Sequence, residues 1–214
     1  MSILSEDDAA EVAELFERLD GDVGIHLFVD DCGTCEDAVT LNRELVDLSE
    51  RLSLSVHDLD DPEAATYDAA KYDAGPVAVF TDGDGTDTGV RYFGVPSGQE
   101  FNSYLTDVVA ASTGETQLDD AVRERLVAID EPVEITVFVT PTCPHCPRAV
   151  ITAHSFALEN EHVTAEMVEA QEFMELSQEY GVRGVPQVNV NGHAGQFTGA
   201  RPPSQFLDEV EAAL

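Results

Sequence analysis

Two rhythms of apolar positions run through this chain, and each occurs twice. Apolar runs of strand length, Ile25-His-Leu-Phe-Val29 and Val133-Glu-Ile-Thr-Val-Phe-Val139, are each followed by a stretch with helical spacing. Leu41, Leu45, Leu48 and Leu52 carry the first helical stripe; Ala149, Ala153, Phe156 and Ala157 carry the second. Farther on, Gly75-Pro76 leads into the strand-like Val77-Ala-Val-Phe80, and Gly184-Val-Pro186 leads into Gln187-Val-Asn-Val190. A tight turn (Asp82 to Gly85; Asn191-Gly192), a last short strand and a closing helix complete each series. The closing helices are predicted to begin after Ser97-Gly98 and around Pro203-Ser204.

The two series keep step. Cys32 and Cys143 are 111 residues apart, and Pro76 and Pro186 are 110 apart. An internal duplication accounts for these landmarks together. The polar stretch Ser112 to Gln117 interrupts the apolar pattern and predicts two domains, residues 1–114 and 115–214, each of ordinary domain size. Each half reads helix, strand, helix, strand, helix, strand, strand, helix. Strands separated by helices should pair in parallel, and the last two, joined by a tight turn, antiparallel. The expected class is α/β, with two tandem domains that are each a mixed sheet flanked by helices.

The candidate chemistry lies at the strand-to-helix junctions, where the four cysteines form two Cys-x-x-Cys pairs, Cys32/Cys35 and Cys143/Cys146. There the first thiol of a pair meets unpaired helix N–H groups and the positive end of the helix dipole, which favour thiolate. The second, nearly one turn on, faces the same way and can close a disulfide with it. Pro144 suits a first helical turn, where its missing N–H has no partner to lose. Such a pair can attack a disulfide and resolve the mixed disulfide internally. Three other uses compete with this one. One zinc shared by both pairs is disfavoured, because 107 residues separate them and zinc spacings are nearer 15–20. A purely structural disulfide over two intervening residues restrains little chain. Spectator thiols do not explain recurrence at the same junction. Redox exchange needs no cofactor beyond the thiols, and no metal site is expected.

Charge changes the picture in one respect. Asp and Glu number 43 against 10 Lys and Arg, Lys71 is the only lysine, and the formal net charge is −33. The acids are spread among periodic apolar residues, as in a fold adapted to concentrated salt, where screening removes self-repulsion. Nothing here could neutralise a run of phosphates, which argues against nucleic-acid binding. No apolar run approaches membrane-spanning length, and the acidic start Met1-Ser-Ile-Leu-Ser-Glu-Asp-Asp lacks the features of a secretory signal. A cytoplasmic location without membrane contact is expected.

The segments Phe138-Val-Thr-Pro-Thr-Cys-Pro-His-Cys-Pro147, Met167-Val-Glu-Ala170, Tyr180-Gly-Val-Arg-Gly-Val-Pro-Gln187 and Arg91-Tyr-Phe-Gly-Val-Pro96 resemble the tandem glutaredoxin-like protein disulfide oxidoreductases of archaea and heat-loving bacteria. The resemblance covers nearly the whole chain and is more specific in its second half. It implies two thioredoxin folds packed into one molecule, with disulfide reductase, oxidase and isomerase activities on protein dithiol and disulfide substrates. It makes Cys143 the nucleophile and Cys146 the resolving thiol, with Cys32/Cys35 a weaker centre. It also implies that Pro76 and Pro186 are cis-prolines beside the disulfides, preceded by Gly75 and Val185, whose backbone pairs with bound substrate. A thioredoxin-reductase-like electron donor is the expected partner. Cys-Pro-His-Cys departs from the commoner Cys-Pro-Tyr-Cys and matches the dipeptide of DsbA-type oxidases; a protonated His145 beside the Cys143 thiolate would make the pair more oxidising, whereas a His145 turned to solvent would alter it little. Two alternatives stay open: a dedicated electron-transfer partner of a peroxiredoxin, and an N-terminal half that only binds substrate.

His26, six residues before Cys32, is a candidate proton relay for Cys35 or simply a half-buried strand histidine; its counterpart is read as Val137. Glu166 and Glu169 flank the strand after the redox helix, where either could approach the disulfide, but at this charge density they are read as solvated carboxylates. His57, His154, His162 and His193 show no ligand-like spacing. If the acidic surface is a salt adaptation, the melting temperature should fall as KCl is lowered from molar to millimolar. An unchanged melting temperature would remove that reading.

Overall fold

The computed structural model describes residues 2–214. The first half runs α1 (Glu6–Phe16), β1 (Val23–Val29), α2 (Cys35–Val46), β2 (Leu52–Asp58), a 3-10 turn (Pro62–Thr66), β3 (Val77–Thr81), β4 (Asp87–Phe93) and α3 (Glu100–Thr113). The second repeats the order as α4 (Asp120–Leu126), β5 (Val133–Val139), α5 (Cys146–Glu159), β6 (Val163–Glu169), α6 (Met174–Glu179), β7 (Gln187–Val190), β8 (Gly195–Thr198) and α7 (Pro203–Glu211). The α/β expectation holds, including parallel β1/β2 and β5/β6 and the antiparallel hairpins β3/β4 and β7/β8.

Two local expectations are corrected. The leucine stripe through Leu52 is not one helix: α2 stops at Val46, tight turns at Leu45–Leu48 and Ser49–Leu52 follow, and Leu52 opens β2. In the first half the third helix is only a 3-10 turn, begun by Pro62 under an Asp61 cap, with left-handed Asp68 and Asp73 beyond it preventing a regular helix.

The strands form one eight-stranded sheet, not two, in the order β2-β1-β3-β4-β6-β5-β7-β8. The repeats are joined head to tail: β4, the outer strand of the first half, pairs in parallel with β6, the counterpart of β2, from Val90↔Ala165 to Phe93↔Val168. The close approach needs Gly89, at φ +74°, where a Cβ would stand 2.5 Å from the Val163 carbonyl oxygen. Burial follows the joint: β6 is almost wholly buried, whereas its counterpart β2 is an exposed edge.

Alternation along each strand sorts the two faces. Ile25, Leu27, Phe80, Tyr92, Ile135, Val137 and Met167 face the main core under α1, α2, α3, α4, α5 and α7. Phe28, Val77, Phe93, Phe138 and Val168 face a smaller core covered by the 3-10 segment and the α6 region. Polar contacts cross the joint on both faces. On the helical side, the buried Asp107 of α3 accepts from Tyr92 Oη and meets His154 Nδ1 of α5 at 2.5 Å. On the other, Lys71 Nζ donates to Glu134 at 2.5 Å and to Glu166 at 2.6 Å, and Tyr72 Oη donates to Glu166 at 2.8 Å. Glu166 is therefore not a solvated carboxylate but is buried, 2 % exposed. Burial pushes its carboxyl above the usual range, against the pull of Lys71.

Lys71→Met should cost about 3 kcal/mol, the scale for stripping the partner from a buried charge. Glu166 titrates higher folded than unfolded, so its ionisation opposes folding, and that opposition fades below the usual 4.5. The loss should therefore be largest at neutral pH and shrink in acid. Urea unfolding of both proteins across pH checks this, and equal stability at neutral pH would refute it.

Candidate active site

Both cysteine pairs are disulfide-bonded and stand where a parallel strand gives way to a helix, on the main-core side of the sheet. Cys146 opens α5 and is fully enclosed, while Cys143, three residues earlier, keeps 8 % of its surface exposed. The helix begins later than the sequence implied: His145 is its cap and Pro147, not Pro144, occupies the first turn. Pro144 and His145 are exposed, His145 turned to solvent. The first turn of α5 holds no acidic residue to offset the positive end of the helix dipole near Cys143.

The first pair differs electrostatically. Cys35 opens α2, whose first turn carries Glu36 and Asp37. Asp30 bridges the pair to the nearby peptide: Oδ1 lies 3.4 Å from Cys35 Sγ, and Oδ2 accepts from the Gly75 N–H at 3.2 Å. The second half reaches this loop through Glu172, whose carboxylate accepts from Thr34 Oγ1 and from the Val95 N–H. Sequence reading missed Glu172, since nothing in its spacing marks it.

Gly75–Pro76 and Val185–Pro186 are cis peptides. Each proline carbonyl is held by a glycine N–H, Gly94 at 2.9 Å and Gly199 at 2.8 Å. Gly75 sits against the end of β1, its Cβ position 3.3–3.4 Å from Phe28 O, Val29 Cα and Asp30 N. Val185 packs against the core that contains Cys143 and Cys146. In the first half Asp30 thus links the disulfide at the start of α2 to the cis peptide.

Other residues singled out in the sequence go elsewhere. Alternation along β1 turns His26 away from the face that carries α2 and Cys35, so it is no relay for that thiol. Its counterpart is Thr136, not Val137: β1 and β5 correspond at an offset of 110, because one extra residue separates β5 from Cys143. His26 instead meets His57 and Glu63, and burial lowers its basicity below the usual histidine value. Glu169 is also buried, accepting from the N–H groups of Gln171 and Glu172, and burial raises its carboxyl.

The thioredoxin domain family matches residues 133–212. Among solved structures, the protein disulfide oxidoreductase of Aeropyrum pernix is 30 % identical with a TM-score of 0.85, covering 98 % of this chain and 94 % of that one. The NTD_N/C domain of the alkylhydroperoxide reductase AhpF of Enterococcus faecalis is 25 % identical with a TM-score of 0.86, covering 97 % and 99 %. The F component of the alkyl hydroperoxide reductase of Staphylococcus aureus is 24 % identical over 190 residues, which is 89 % of this chain and 34 % of that protein. The chain spans about a third of the length of the curated relatives it matches.

The contrast between the helix starts generates a measurable order. Carboxylates beside Cys32/Cys35 oppose thiolate formation, and α5 offers its pair none in its first turn. After reduction, Cys143 should alkylate with iodoacetamide at lower pH than Cys32, followed by peptide mass mapping. The reverse order would refute the ranking.

Proposed function

We propose, for a chain that belongs to the same family as the protein disulfide oxidoreductase of Aeropyrum pernix, that it exchanges disulfides with protein substrates chiefly through Cys143 and Cys146. The observation that carries this reading is the contrast between the helix starts: no carboxylate in the first turn of α5 opposes a Cys143 thiolate, whereas Glu36 and Asp37 stand in the first turn of α2, and Cys146 is enclosed behind Cys143. In the reductive direction the Cys143 thiolate attacks one sulfur of a substrate disulfide and expels the other as thiolate. Cys146, deprotonated, then attacks Cys143 Sγ, releasing the second substrate thiol and leaving Cys143–Cys146 oxidised. Two electrons pass to the substrate, and the released thiolates take up two protons. Val185 and Pro186 offer the peptide along which the substrate lies, and Gly75 and Pro76 do so for the first pair. Pro144 and His145 tune the pair from the exposed side. With His145 turned to solvent, the stimulus toward an oxidising potential is weak, which favours a reductase.

The two halves, divided at 114/115, serve as a relay: Cys32/Cys35 takes electrons from a thioredoxin-reductase-like donor in the cytoplasm and passes them on. Likeness to the AhpF domain favours a second reading, in which the whole unit feeds a peroxide-reducing thiol enzyme and ignores other proteins.

Insulin reduction in molar KCl, driven by dithiothreitol, separates these. Cys143→Ser should abolish turnover, at least 100-fold, while Cys32→Ser/Cys35→Ser should leave a large part of it, because dithiothreitol bypasses the donor step. Undiminished turnover by Cys143→Ser would overturn the assignment. A wild-type protein inert on insulin but active with a peroxidase partner would favour the second reading.

A further inference from the structure

We propose that His26, His57 and Glu63 form a binding site for a zinc-class divalent metal ion, independent of both cysteine pairs. The three come from β1, β2 and the 3-10 turn, on the face of the sheet opposite α2. Strand register places them: Phe28 pairs with His57 and His26 with Ser55, so His26 and His57 project from one face as diagonal neighbours. Pro62 and the Asp61 cap, whose Oδ1 accepts from the Glu63 N–H at 2.9 Å, fix the turn that brings Glu63 over them.

Two of the three separations are those of a coordination shell. His26 Nδ1 lies 3.3 Å from His57 Nε2 and 3.5 Å from Glu63 Oε1. Two ligand atoms at about 2.0–2.1 Å from a tetrahedral zinc stand about 3.3 Å apart. His57 Nδ1 is 3.4 Å from Glu63 Oε2, a second carboxylate contact that orients the ring carrying the donor. The Tyr67 ring, 5.2 Å from His26, and the Phe28 ring, 4.9 Å from His57, wall the site with aromatic surface. Side-chain exposures of 18 %, 16 % and 41 % leave a way in from solvent.

Two imidazoles and one carboxylate suit zinc and its neighbours and disfavour magnesium and calcium, which take oxygen shells. The ion would clip the segment bearing Glu63 to the exposed edge strand β2. In the second half the corresponding strand positions are Thr136 and Val168, so the site belongs to the first half alone.

The test uses the full chain, stripped with a chelator, with both disulfides oxidised so that no thiol competes, in molar KCl to suppress diffuse cation binding. Calorimetric titration with zinc chloride should give one site per chain, not displaced by excess magnesium. His26→Ala and His57→Gln should each weaken it tenfold or more. In the unsubstituted protein, the imidazole NMR signals of His26 and His57 should shift on zinc addition while those of His162 and His193 stay in place, a readout that does not depend on how the variants fold. No binding, binding unchanged in the variants, or shifts absent at His26 and His57 would overturn the proposal. In the last two cases the ion is held by surface carboxylates, and in the first the three groups merely share hydrogen bonds.

Discussion

The structure depends on one pairing, the parallel contact of β4 with β6. Without it, β4 and β6 would both be open edges, and Glu166, placed on β6, would be a charged group on an exposed strand. With it, two four-stranded repeats share one sheet, and both faces of the seam must be filled. Tyr92, Asp107 and His154 fill one with buried hydrogen bonds; Lys71, Tyr72, Glu134 and Glu166 fill the other with a paired charge. Each cluster draws on both halves, so neither is complete in an isolated repeat. The single lysine of so acidic a chain sits at this seam, where a cation is needed to neutralise buried carboxylate.

Much of the repeat was legible in the sequence. The cysteine spacing located both disulfides, because each is a local device of a strand end and a helix start, and the family resemblance implied both cis peptides. The alternation of apolar and polar positions located the strands for the same reason. The seam was not legible. Glu166 and Glu169 interrupt β6 as charged residues do on a solvated face, and only the three-dimensional arrival of Lys71 and Tyr72, or of a backbone turn, makes them interior. The single-residue insertion ahead of Cys143 misaligned His26 with Val137, since counting back from cysteines carries the insertion into the strand. His57 and Glu63 had no signal, because their partners are adjacent across strands and not along the chain.

The two redox pairs occupy equivalent positions in unequal surroundings. Acidic side chains crowd the first, and one of them, Asp30, occupies the N–H of Gly75. At the second, the residue matching Asp30 in the count from the cysteine is Pro141, which has no carboxylate, and its carbonyl instead receives the Gln99 N–H from the entrance to α3. Duplication supplied two copies of one geometry, and substitution of the residues around them made the copies chemically distinct. Glu172, reaching from one half to Thr34 in the other, adds a further carboxylate beside the first pair.

A head-to-tail seam has no natural end. Because β4 meets the equivalent of β2 in the next repeat, the sheet of the described residues has β2 as its edge at one side and β8 at the other, complementary in the same sense as the joined pair. Repeated between molecules, that geometry would build a filament, as any non-closing heterologous contact does. Two features oppose it: β8 is only four residues long, against seven for β4, and every copy carries a formal charge of −33. In concentrated salt the second guard is screened, and the shortness of β8 is the one that remains.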